Sequence, residues 1–171
     1  MTSGFEPQGR VMLRKQIIKP HPATQGITPG EIDIASVAMV QVTSESPEHP
    51  IDHVFDEHRG QRGTRWIAGE PGEQIVILAF DSPQTIRHVS LEVQEPEVTR
   101  TQELQLSLSC DGGQNFRELL RQEYNFSPPG TTFEREDLAI SAQGVTHLRL
   151  VIKPDKRGVP CLATLTSLVL R

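Results

Sequence analysis

The stretch that decides the fold runs Ile75-Val-Ile-Leu-Ala-Phe80, then His88-Val-Ser-Leu-Glu-Val93, then Leu104-Gln-Leu-Ser-Leu-Ser109, and ends on Asp111-Gly112-Gly113. In the second and third segments Val89, Leu91, Val93, Leu104, Leu106 and Leu108 alternate with polar residues, the period of a strand with one face in a core. The first segment is apolar at every position, which predicts a central strand covered on both faces, or one whose outer face meets the N-terminal segment. Asp111, Gly112 and Gly113 tolerate positive φ and reverse the chain into a strand at Phe116 to Tyr124.

Outward from this block the same texture continues. From Ile34 the texture changes to period-two alternation, and Val40 and Val42, with Gln41 and Thr43, predict a first strand with one buried face. After the rigid loop Ser127 to Gly130, Phe133 to Ile140 re-enters a sheet, Leu148, Leu150 and Ile152 form a further strand, and Leu162 to Leu170 closes the domain. Only Ile51 to His58 suggests a turn of helix. About eight strands with turn signals between them indicate an all-β sandwich or barrel.

Composition agrees with one such domain. A chain of 171 residues buries roughly 70% of the surface its unfolded form exposes, enough for a single core. Its 13 prolines and 13 glycines suit many turns, while the Val, Ile and Leu runs argue against disorder throughout. Residues 1–33 carry Pro7, Pro20, Pro22 and Pro29 and read as an extended lead-in, with one added strand at Val11 to Lys19; residues 34–171 form the domain.

The formal charge of −5 argues against a nucleic-acid binder, which needs a basic field. Charge is uneven: Arg10, Arg14, Lys15 and Lys19 face only Glu6 in residues 1–30, a short basic arm that is either solvated or an interaction element. No apolar run reaches the length of a membrane span, and Met1 to Gln8 lack the order of a secretory signal, so a cytoplasmic protein is expected. Cys110 and Cys161 are too few for a disulfide framework and read as small buried residues.

The order of motifs resembles the discoidin domain, also called the coagulation-factor type C or galactose-binding-like domain. The matching pieces are Phe55-Asp56, Thr64-Arg65-Trp66, Ile75 to Phe80, Ser82-Pro83 leading into Ile86-Arg87-His88-Val89, Leu106 to Gly113 with Phe116, His147 to Leu150, and Ala163 to Leu170. They span about residues 34 to 171. The resemblance implies an eight-stranded antiparallel jelly-roll β-sandwich with ligand loops at one end, recognising sugars, lipid headgroups or proteins.

It also implies a structural calcium. Asp56 and Thr64 match two of its ligands, and Ser167 stands where similar domains have a late Glu. Without that carboxylate the site is weakened, and Asp56 and Thr64 otherwise serve to order their loop by hydrogen bonds. His49, His53 and His58 with Asp52 and Asp56 lack a recognised metal spacing and read as solvated loop residues. Trp66 is expected in the core rather than stacked on a sugar.

By the same resemblance the ligand loops are Ser44 to Pro50, Arg59 to Arg65, Glu95 to Thr101 and Pro154 to Pro160. Their tips lack the large apolar residues that insert into membranes. They hold Arg59, Arg62, Arg65, Arg100, Lys156 and Arg157, which would form a cationic patch for carboxylate or phosphate groups if they converged, and ordinary solubilising charge if not. No nucleophile, base and orienting group stand in a recognised order, and Gly60-Gln61-Arg62-Gly63 is not a phosphate loop. The function expected is a non-catalytic binding module for a carbohydrate or another anionic or polar ligand. The alternative is a protein-protein interaction or self-assembly domain, meeting a protein partner or a second copy.

Overall fold

The computed structural model describes residues 29–171, and the strand expected at Val11 to Lys19 lies outside them. Among the described residues, eight strands, one four-residue α-helix and one 3-10 turn follow in the order α1 (Ile34–Val37), β1 (Ala38–Val42), the 3-10 turn (Ile51–Val54), β2 (Trp66–Ile67), β3 (Gln74–Gln94), β4 (Arg100–Ser109), β5 (Arg117–Phe126), β6 (Phe133–Lys153), β7 (Thr164–Leu165) and β8 (Ser167–Leu170). All pairings are antiparallel.

β3 and β6 are each 21 residues long and serve two layers. Residues 74–80 of β3 lie between β1 and residues 147–153 of β6, and β4 and β5 continue that layer to five strands. Residues 86–94 of β3 lie between residues 133–142 of β6 and β8, a layer of three. This is the eight-stranded jelly-roll sandwich, with β2 and β7 pairing as a short ribbon at one end.

The sequence reading broke β3 into two strands at Ser82-Pro83; the backbone instead bends there without leaving the ladder. Register shifts between Ala79 and His88 mark bulges, which twist a strand enough to carry it from one sheet to the other. Pro83 sits inside this irregular stretch, where its missing N–H costs no regular ladder bond. β6 turns the same corner at Gly144, whose φ of 67° no β-branched residue would adopt cheaply.

Inward-facing residues of the two layers make one core, including Trp66, Leu78, Ile86, Leu91, Leu106, Leu148, Leu150 and Leu170. The segment 75–80 has only one face in it: Val76, Leu78 and Phe80 are buried, while Ile77 and Ala79 are half-buried and Ile75 is 37% exposed. Its unbroken apolar character leaves an apolar row on the outer face. Glu31 to Asp33, read from sequence as the end of the lead-in, are tied to the sandwich: Ile32 N donates to Leu170 O at 2.9 Å, and Glu31 accepts from both Arg59 and Arg171.

Candidate functional site at the loop end

Because β1, β3, β4, β5 and β6 alternate in direction, the segments 43–50, 59–73, 95–99, 127–132 and 154–163 all emerge at one end of the sandwich. Between them lies a cleft of about 180 Å³ lined by Arg65, Ile67, Glu95, Glu97, Val98, Arg100, Cys161, Leu162 and Thr164. Its floor is rigid. Gln102, wholly buried on β4, exchanges two hydrogen bonds with the Thr164 backbone (2.9 and 3.3 Å), and Thr164 Oγ1 donates to Trp66 O at 3.1 Å. Trp66 is in the core as expected, its indole N–H donating to Ser44 O.

The walls are fixed by one buried ion pair. Arg100, 3% exposed, contacts Glu95 at 2.5 Å and donates to Leu162 O, so that it joins the 95–99 loop to the 161–163 segment. Glu95 also accepts from the backbone N–H groups of Glu97 (3.0 Å) and Val98 (3.1 Å), which curls the loop around its own carboxylate. Arg65 donates to Gln94 O at 3.0 Å and stands 4.0 Å from the exposed Glu97.

The six cations expected to converge do so only in part, and five of them are neutralised within the chain. Arg65 and Arg100 share the cleft, each with a carboxylate beside it. Arg157 is close by, clamped on Asp155 through its side chain and its own N–H, with a further bond to Thr99 O. Its guanidinium holds the Asp155 carboxyl below the usual carboxylate range. Lys156 pairs with Glu123 at the edge of β5, and Arg59 with Glu31 beside β8. Arg62 is exposed and has no ion pair among the described residues. A patch of unpaired cations for a strong anion is therefore not what these residues build. Every loop that carries an Arg or Lys also carries, or faces, a Glu or Asp, and sequence order alone does not say which ones meet.

Asp56 and Thr64 do come together. Thr64 Oγ1 donates to Asp56 Oδ2, and His58 N donates to Asp56 Oδ1 at 2.9 Å, closing the loop between them. Calcium takes six to eight oxygens, from carboxylates, carbonyls and water. Here a single carboxylate has both oxygens already accepting from the loop, and among the described residues no group of three or more His, Cys, Asp or Glu is placed to hold a metal. Ser167, at the late Glu position, is buried, and its hydroxyl has no partner among the described residues. With one carboxylate and no late Glu this is a weak donor set for calcium, and Asp56 and Thr64 act as the loop's own clasp. The histidines follow suit: the His49 and His53 rings meet edge to face at 6.2 Å, and His53 Nδ1 lies 3.1 Å from Arg65 O.

Both cysteines are free and, contrary to the sequence reading, neither is buried. Cys110 lies on the exposed β4–β5 turn, where Gly112 and Gly113 fill the inner positions, and Cys161 is half-exposed on the cleft wall. Of the cleft residues only Arg65 and Arg100 were expected as ligand contacts; Glu95, Glu97 and Val98 lay in an expected ligand loop without a role, and Ile67, Cys161, Leu162 and Thr164 were not expected there. The one available signal was Glu95-Pro-Glu97-Val-Thr-Arg100, where acids and a base on a short loop are placed to pair.

No family model matches the chain, and no curated protein matches it by sequence. Solved structures match it by fold. A pectin-binding carbohydrate-binding module superposes with a TM-score of 0.58 at 19% identity, over 79% of this chain and 90% of that one. The family 32 carbohydrate-binding module of NanJ from Clostridium perfringens, solved in complex with galactose, gives 0.59 at 9% identity, over 82% and 96%. Chitosan-binding module 1 of a chitosanase/glucanase from Paenibacillus sp. IK-5 gives 0.54 at 17% identity, over 82% and 98%. The chain thus shares the jelly-roll fold of these modules, the fold that the resemblance to the discoidin or galactose-binding-like domain implied.

Proposed function

We propose that the chain is a non-catalytic carbohydrate-binding module, and that the cleft between segments 95–100 and 161–164 takes a neutral sugar unit. The observation that carries this reading is the charge balance of the cleft: Arg65 and Arg100 are matched by Glu97 and Glu95, so the site offers N–H donors and carboxylate acceptors with no net charge. Such a lining suits hydroxyl groups, each of which both donates and accepts, better than a phosphate or carboxylate that needs unpaired cations. Ile67, Val98 and Leu162 supply apolar wall for the C–H face of a ring. Fold neighbours that bind sugars support the reading.

The test is calorimetric titration with neutral hexoses and with uronic acids, on the native protein and on Glu97→Ala, an exposed position that leaves the buried pair intact. Saturable binding of a neutral sugar, weakened in the variant, is expected. Binding of acidic ligands alone would show that the charge-balance argument is wrong.

A second reading, self-association, has its own observation. Met39, 63% exposed, and Ile75 lie with Ile77 and Ala79 on one outer face of β1 and β3. An exposed apolar row offers surface that a second copy of the chain could cover. Met39→Lys would abolish any concentration-dependent dimer seen by sedimentation; a protein monomeric at all concentrations would discard this reading.

A further inference from the structure

We propose that the ligand is an oligosaccharide of two or more units, held by the cleft above together with a second, larger cleft beside it. This inference rests on the sugar-binding reading of the first cleft. The second cleft, of about 450 Å³, opens between segments 71–73 and 153–160, with Pro71, Gly72, Lys153, Lys156, Val159 and Pro160 in its walls.

The two clefts share a wall. Pro160 lines one and Cys161 the other, and Gly72 N donates to Cys161 O at 3.3 Å, which pins that wall to the far side of the larger cleft. The exposed aliphatic side chains of Val159 and Leu162 stand on either side of it. Size then argues for a ligand that uses both. Pockets that hold small ligands run to about 300–1,000 Å³, and the first cleft, at about 180 Å³, is too small to enclose more than a single ring.

The larger cleft is built for the same chemistry. Pro71, Pro160 and Val159 present flat apolar surface, and Gly72 and Gly158 leave open space where side chains would stand. At the rim the ammonium groups of Lys153 and Lys156 are balanced by Glu103 and Glu123, so they offer N–H donors to hydroxyls without a net demand for an anion. The cleft is also preformed. Lys156 N donates to Thr101 O, Gly158 N to Asp155 O, and Arg157 is clamped on Asp155, so little ordering remains to be done on binding.

The experiment is calorimetry on the full chain with galactose, glucose, mannose and N-acetylglucosamine, each as the single sugar and as its β-linked dimer and trimer. The native protein, Val159→Arg and Lys156→Ala are compared; both substituted side chains are exposed. A dimer that binds at least about tenfold more tightly than its single unit, and falls to the single-unit affinity in Val159→Arg with the single unit unaffected, supports the two-cleft site. Lys156→Ala should give a smaller loss in the same direction. Equal affinity for single units and dimers, or a Val159→Arg variant that still prefers dimers, overturns the inference while leaving the first cleft standing. Binding of no sugar at any length overturns both.

Discussion

Arg100 shows how a residue that reads as a surface cation becomes a structural one. Its guanidinium holds Glu95 and the Leu162 carbonyl together out of water, so removing it leaves a buried carboxylate without its partner. Breaking a buried pair on one side costs about 3–5 kcal/mol. Arg100→Ala should therefore lower the unfolding free energy measured by urea titration by an amount of that order, whereas Arg62→Ala, exposed and unpaired among the described residues, should leave it within experimental error. Equal effects would refute this division of the arginines. Tyr124 gives the opposite case. Its hydroxyl is buried with no hydrogen-bond partner among the described residues, and burial, with Glu136 and Glu134 adding to it, pushes its pKa up. Tyr124→Phe should raise stability by about 1 kcal/mol in the same assay.

At the scale of elements, what the sequence made legible was periodic. The alternation in Val89 to Val93 and Leu104 to Leu108 led to strands that are there, and Asp111-Gly112-Gly113 to a turn in which both glycines take positive φ and Asp111 accepts from the N–H groups of Gln114 and Asn115. The corners of β3 and β6 were not legible, because a bulge keeps its residues in extended backbone and a proline there looks the same as one that ends a strand. The site was legible only as a set of loops. Which charges pair across those loops depends on long-range packing, as with Arg59 and Glu31 or Lys156 and Glu123. The loop closed by Asp56 and Thr64 carries a test of its own. Adding calcium or a chelator should leave the melting temperature unchanged, and Asp56→Ala should lower stability by about 1 kcal/mol through lost hydrogen bonds alone. A calcium-dependent rise in melting temperature would restore the metal site.

The whole molecule is acidic, and several of its carboxyls are held below their ordinary range by partners in the fold. Glu31 is lowered by Arg59, Asp137 by Arg135, and Asp155 by Arg157. A depressed folded-state pKa contributes stability that is present above the unfolded value, near 4, and is lost as pH falls through the folded value. The urea midpoint should be flat from neutral pH to about 5 and drop below about 4. A protein equally stable at pH 3 and pH 7 would contradict these pairings.

The sandwich is one rigid frame with its variable chemistry at one end, so a ligand should perturb that end and little else. Backbone amide chemical-shift mapping during titration with a neutral sugar reads this directly. The expected shifts fall on Arg65, Glu97, Val98, Arg100, Leu162 and Thr164, with the β4–β5 turn at the far end unmoved. Shifts confined to that turn or to the outer face of β1, or none under saturating sugar, would contradict a sugar site in the loop-end cleft.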